Sequence, residues 1–497
     1  MTSTFRPALV LMSGRTAGVA VGFLIPLVLV RVFDQTQFGT YKQVFLVFAT
    51  LYGIAQVGMA ESLFYFLPAA SERGGRYAAN ALLALGLAGV LVMGMLTWSG
   101  PALARWMGNP ELSTPIVLMG IYLMFMLMST VLEIAMISRQ SYLTAAVTYS
   151  ASDVARAALY LLPLLAWPHL EALLLGAITF ALLRTASTLV FLTRRFRGQL
   201  RPDLALLRIQ IAYAAPFALA VILQILQSNV HNYAVFYQFD TASFAIYSVG
   251  CLQIPLIDLV FSSASNVMMV RMGRARAEGR LQEVRAIWED ITRKLALVFF
   301  PLVCLLLVTA RDLIAILFTP AYLASVPIFM VWSGAILASA FQVDGVLRVF
   351  ARTRFILVMH GVTLLLVLIL IGPFMSALGL VGAALVSVIA VLAARGLGLW
   401  RIRHLMEATV GTLLPWGRLA GILLISVLAA GPAWLVRTEA PPGAFATLAL
   451  TAGTYAIAYA SMLLLFGVLT AAEREALIAP LRRSLATSPQ PEETRAP

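Results

Sequence analysis

The chain has 497 residues, of which 61% are hydrophobic and 11% charged, and its mean hydropathy is +0.92. Soluble domains carry roughly 25% charged residues, so this composition excludes an ordinary cytoplasmic enzyme, a disordered chain and a disulfide scaffold. The net charge of +13 would suit a nucleic-acid partner in a soluble protein, whereas in a membrane protein such an excess marks cytoplasmic loops.

A spanning helix takes about 20 apolar residues. Apolar runs bounded by charge or turn residues fall at about 9–32, 42–67, 78–104, 114–138, 143–167, 169–193 and 209–238. They continue at about 243–270, 295–318, 322–347, 355–376, 377–400, 417–437 and 443–470. These predict an all-α polytopic membrane protein of about fourteen transmembrane helices. The stretch 271–294 between helices eight and nine is helix-compatible and rich in charge. It reads as a solvated connector or as an amphipathic helix on the lipid surface.

With the N-terminus placed in the cytoplasm, 28 of the 35 Lys and Arg fall on the inner side and 5 on the outer, among them Arg31 and Lys42. Two more, Arg156 and Arg184, fall within helices. The asymmetry predicts both termini inside and removes the need for a nucleic-acid partner. The first apolar run is long, contains Arg15 and lacks a small-residue cleavage site, so no cleaved signal peptide is expected. The polar tail 471–497 is expected to be cytoplasmic and disordered towards its end. Cys251 and Cys304 sit in apolar runs as packing residues.

An internal repeat organises the helices. Phe33-Asp34 to Phe38 and Tyr41 reads F-D-x-x-x-F-x-x-Y, and Phe239-Asp240 to Phe244 and Tyr247 reads the same, 206 residues later. Helices four and ten, and six and twelve, begin about 208 residues apart. An even number of helices per unit makes the repeats parallel. The expected architecture is two six-helix lobes, 1–200 and 201–404, around a central cavity, with accessory helices thirteen and fourteen in 405–470. That arrangement suits alternating access.

The run from Pro26 through Arg31 to Gly39-Thr-Tyr41, then Gly58-Met-Ala-Glu61-Ser and Phe64-Tyr-Phe-Leu-Pro68, resembles the multidrug/oligosaccharidyl-lipid/polysaccharide exporter (MOP) superfamily. Within it, the resemblance is to polysaccharide-biosynthesis flippases of the Wzx and O-antigen type. The stretch from Glu278 through Pro301 and Arg311 to Ile328 is similar to that family's ninth helix and following loop. The resemblance covers roughly residues 1–400. It implies a flippase that moves a polyprenyl-pyrophosphate-linked oligosaccharide across a bacterial inner membrane, alongside a glycan polymerase and glycosyltransferases of one pathway. Lipid II, or cationic drugs exported by the same fold, are the alternative cargoes. A membrane glycan polymerase is the more distant alternative, and the short outer loops weigh against it. No GxxxxGK[ST] motif is present in the chain, and the scattered His and carboxylates form no metal site or nucleophile–base pair. Neither cofactor nor metal is expected.

Ionisable groups within spans are costly and mark candidate functional residues. Arg15 and Arg31 stand about 24 Å apart along helix one and are candidates to hold a pyrophosphate, or to snorkel to the two membrane surfaces. Asp153 and Arg156 share a face of helix five and can pair with each other or with the anionic cargo. Arg184 has no partner near it in sequence and is a candidate cavity cation. Asp258, near the middle of helix eight, is a coupling site for H+ or Na+ or a neutral hydrogen-bonded carboxyl, and Asp153 and Glu61 are further ion-coupling candidates. Glu133 lies near a cytoplasmic helix end, where solvation is cheaper. Asp344 and Arg348 are expected to pair along helix ten, and His360 to lie at the interface. Gln224, Gln227, Asn229, His231 and Asn232 crowd helix seven, where they can bind sugars or bond neighbouring helices.

Overall fold

The computed structural model describes residues 18, 21–69, 73–138, 142–439 and 443–468, and every regular element among them is helical. The tail beyond 468 and Arg15 lie outside the described residues. In chain order the helices are α1 (Val21–Val32), α2 (Gln35–Ala55), α3 (Met59–Ala69), α4 (Gly74–Trp106), α5 (Ser113–Ser129) and α6 (Val131–Ser138). Next come α7 (Tyr142–Leu161), α8 (Leu170–Arg195), α9 (Leu204–Gln238), α10 (Thr241–Gly250), α11 (Pro255–Ala277) and α12 (Leu281–Phe318). The last are α13 (Val326–Ser339), α14 (Val343–Val349), α15 (Thr353–Leu405), α16 (Val410–Leu413), α17 (Trp416–Glu439) and α18 (Ala444–Leu465).

Among the described residues, eight helices are singly long and apolar enough to cross a membrane, or ten if α2–α3 and α10–α11 each form one bent span. The 53-residue α15 contains helices eleven and twelve. They join at Gly379, whose φ of 58° and ψ of −137° break the helix where a side chain would be strained. With helix one (α1), five (α7) and seven (α9) added, the element order follows the fourteen apolar runs.

The repeat is visible in backbone geometry. Asp34 caps α2 with φ −69° and ψ 175°, and Asp240 caps α10 with φ −70° and ψ 170°. Each carboxylate accepts the backbone N–H three residues on, from Gln37 at 2.8 Å and from Ser243 at 2.7 Å. The capped ends meet. A Cβ on Gly39 would lie 2.1 Å from the Thr241 carbonyl oxygen, so only glycine permits α2 and α10 to approach this closely.

The apolar cores differ at the two ends of the molecule. At the end carrying Asp34 and Asp240, one core runs through both halves, from Phe33, Phe38 and Tyr41 to Phe244, Phe318 and Tyr322. At the opposite, arginine-rich end the cores are separate. One holds Leu63, Leu67, Tyr77, Leu127 and Leu192, and the other Met272, Trp288, Phe299, Val346 and Leu413. The stretch 271–294 is neither a free connector nor a surface helix. It is the end of α11 and the start of α12, with Met272, Val284 and Trp288 fully buried in the second of these cores.

Four spanning helices are broken. α3, α6, α11 and α14 are the second pieces of helices two, four, eight and ten, and each carries a carboxylate in its first turn: Glu61, Glu133, Asp258 and Asp344. A helix N-terminus favours negative charge, which gives all four a local reason to be there. Asp258 is therefore not in mid-helix as expected. It follows the non-helical Cys251–Ile254 and Pro255, and it is exposed.

Candidate functional site

A cavity of about 520 Å³ opens between α2 and the helices α9, α10, α13 and α15. Its polar lining comes from Lys42 on α2, Gln227, Ser228, Asn229, His231 and Asn232 on α9, Ser248 on α10, and Gln253 beyond it. Trp332 and Ser387 complete it, with Phe45, Phe244 and Val367 among its apolar groups. Adjacent turns of α9 supply three amides, Gln227, Asn229 and Asn232.

These groups are held by bonds across helices. Tyr233 donates to Thr50 Oγ1 at 2.7 Å, and Asn229 to the same oxygen at 3.4 Å, tying α9 to α2. His231 Nδ1 and the Tyr247 hydroxyl share a hydrogen bond of 2.7 Å, and the imidazole lies 5.4 Å from the Trp332 ring. His360, expected at the membrane interface, instead meets Gln227 Oε1 at 2.6 Å.

Lys42 was missed among the candidates, being counted with the outer loops. The structure puts it eight residues beyond the Asp34 cap, about 12 Å into the helix. Its Nζ sits 5.3 Å from the centre of the Phe38 ring and 5.9 Å from that of Tyr41. Among the described residues it makes no ion pair, and no other charged side chain lines the cavity.

The described arginines expected in the cavity lie elsewhere. Arg31 stands at the capped end of α1, where its guanidinium donates to Ile316 O at 2.6 Å, Leu317 O at 2.9 Å and Leu27 O. Gln35 adds a bond to Ala321 O at 2.7 Å, and Phe38 meets Tyr322 edge to face at 5.8 Å. Together they join the two halves at the capped end. Arg156 pairs with Asp153 at 2.7 Å on its own helix, against Gly18 and Gly22 of the first helix. Arg184 is not unpaired. Its guanidinium meets Glu133 across helices and donates to Ser152 Oγ at 3.1 Å, partners that sequence distance concealed. Asp344 pairs with Arg395 on α15 at 2.8 Å, not with Arg348 along its own helix. Glu61 and Asp258 are exposed and make no ion pair among the described residues. Asn229 and His231 line the cavity.

The described residues hold no cluster of three or more His, Cys, Asp or Glu able to bind a metal. Cys251 and Cys304 are free thiols.

A model of the polysaccharide biosynthesis protein family matches residues 28–327, about three fifths of the chain. No curated protein is significantly similar in sequence. Among solved structures, the lipid II flippase MurJ in an inward closed conformation superposes with a TM-score of 0.74 at 13% identity, covering 91% of this chain and 98% of that one. A MOP superfamily transporter from Pyrococcus furiosus, described as having a binding pocket of reverse polarity, gives 0.58 at 14% identity, with 81% and 96% covered. An outward-facing multidrug resistance MATE transporter gives 0.56 at 14%, with 81% and 95% covered. The chain thus belongs to the polysaccharide biosynthesis protein family and is a multi-pass membrane protein with the MOP-superfamily transporter fold.

Proposed function

We propose that the protein is a flippase for a polyprenyl-pyrophosphate-linked oligosaccharide, working by alternating access. The observation that carries this is the cavity between α2 and the α9–α15 helices, rich in amides and hydroxyls, with the two halves joined at the capped end by Arg31, Gln35 and Phe38. The separate cores at the arginine-rich end support a state closed at one end and parted at the other. Membership of a polysaccharide biosynthesis family supports a glycan cargo.

The arginine-rich end faces the cytoplasm of a bacterial inner membrane, with both termini inside, in line with positive-inside charge. Residues 1–200 and 201–404 act as the two rocking lobes, and 405–470 as an accessory pair. The glycan enters the cavity while membrane lipids hold the polyprenyl chain. Glycosyltransferases and a glycan polymerase act before and after this step. Asp153 is occupied by Arg156, so Asp258 and Glu61 are the carboxylates left to couple H+ or Na+ to the cycle. A cavity with one cation and no carboxylate among its described lining disfavours cationic drugs.

Proteoliposomes containing the chain and a fluorescent polyprenyl-pyrophosphate oligosaccharide on the internal leaflet test the proposal. Lectin added outside should capture the glycan progressively, and capture no faster than in protein-free vesicles would refute it. A second reading, lipid II as cargo, is favoured by the superposition on the lipid II flippase. The same assay with lipid II separates the two.

A further inference from the structure

Lys42 is the one charged side chain among the described residues lining the cavity, and nothing described in the protein neutralises it. A half-buried ammonium without a counter-charge is unfavourable, and the faces of Phe38 and Tyr41 offset only part of that cost. Besides Lys42 and His231, the polar lining among the described residues consists of the amides of Gln227, Asn229, Asn232 and Gln253 and the hydroxyls of Ser228, Ser248 and Ser387. Such groups match sugar hydroxyls, and Trp332 offers an apolar face to a sugar ring.

A pyrophosphate asks for more than this. It carries charge on two adjacent phosphoryl groups and suits the bidentate forks of arginine, whereas lysine is a compact point charge. Four described arginines are engaged elsewhere: Arg31 by backbone carbonyls, Arg156 by Asp153, Arg184 by Glu133 and Arg395 by Asp344.

We infer that the cavity takes the sugar portion of the cargo, and that this glycan is acidic, with a single anionic group such as a uronate carboxylate meeting Lys42. The inference rests on the flippase reading above and adds the charge class of its substrate.

Calorimetric titration of the purified full-length chain tests it, using a neutral tetrasaccharide, the same tetrasaccharide with one glucuronate, and inorganic pyrophosphate as competitor. The acidic saccharide should bind at least tenfold more tightly than the neutral one. Lys42→Gln should erase that preference, and Lys42→Arg should retain it. Equal affinities in the wild type, or a preference that survives Lys42→Gln, would overturn the inference and leave the flippase reading standing. Displacement of the acidic saccharide by equimolar pyrophosphate would overturn it too, by assigning the anion to the linker. Should neither saccharide bind, the inference and the glycan-flippase reading fall together.

Discussion

Arg395 on α15 donates to the Asp344 carboxylate of α14 at 2.8 Å, across a sequence separation of 51. Arg184 of α8 meets Glu133 of α6 at the same separation of 51. In each half the pair joins the second piece of a broken helix to the helix two spans later, so the repeat extends from the turns to a cross-helix ion pair. Neutralising one member strands the other charge. Glu133→Gln or Asp344→Asn should each destabilise the protein by about 3–5 kcal/mol, while Glu133→Leu combined with Arg184→Met should recover most of the loss. Thermal unfolding in detergent measures both, and a double variant no better than the single would contradict this account.

The junction of the two halves at the capped end hangs on Arg31. Hydrogen bonds from a charged donor contribute about 1.5–3 kcal/mol each, enough to shift a two-state equilibrium many-fold. Arg31→Ala should therefore raise the reactivity of a cysteine introduced at Ala49 in the cavity towards an impermeant thiol reagent supplied from the capped side. Unchanged labelling would show that access is limited elsewhere.

The two caps should behave alike. Asp34→Ala and Asp240→Ala each remove an acceptor from an exposed helix start and should cost about 1 kcal/mol. Thermal unfolding of the single and double variants should give closely matched shifts for the two positions.

Asp203 caps α9 outside the membrane. Its carboxylate accepts the backbone N–H groups of Leu206 and Ala205 and faces Arg76 at 3.1 Å, which holds its pKa below the usual value. A depressed carboxylate stabilises the fold fully above its ordinary pKa, about 3.9, and that contribution is lost as pH falls from there through the lowered value. Protection of the Ala205 and Leu206 amides, corrected for intrinsic exchange, should fall in that acid window, and Asp203→Ala should show the low protection already at neutral pH.

The all-helical class and the order of the apolar segments were legible because apolar length is a property of local sequence. The F-D-x-x-x-F-x-x-Y repeat was legible as well, since a cap is a local device. The breaks within helices two, four, eight and ten were not. Gly58 and Pro255 hint at two of them, but Thr130 and Phe341 look like ordinary helix residues. Hidden breaks made Asp258 look like a mid-helix charge when it begins a helix. Arg184 and Asp344 misled for a different reason: their partners lie 51 residues away, and only packing brings them together. Lys42 was hidden by the turn before it, although an Asp34 cap already implies that the next twenty residues enter the membrane.

The acceptors that face Arg31 are main-chain carbonyls of Ile316 and Leu317. Every amino acid brings such a carbonyl, so no side-chain replacement in that part of α12 can delete them. The acceptors of the Arg31 contact thus survive side-chain replacement, and its donor is a single codon. The ease with which the capped end opens can therefore be adjusted stepwise at position 31, through lysine, glutamine or alanine, without redesigning the surface it grips.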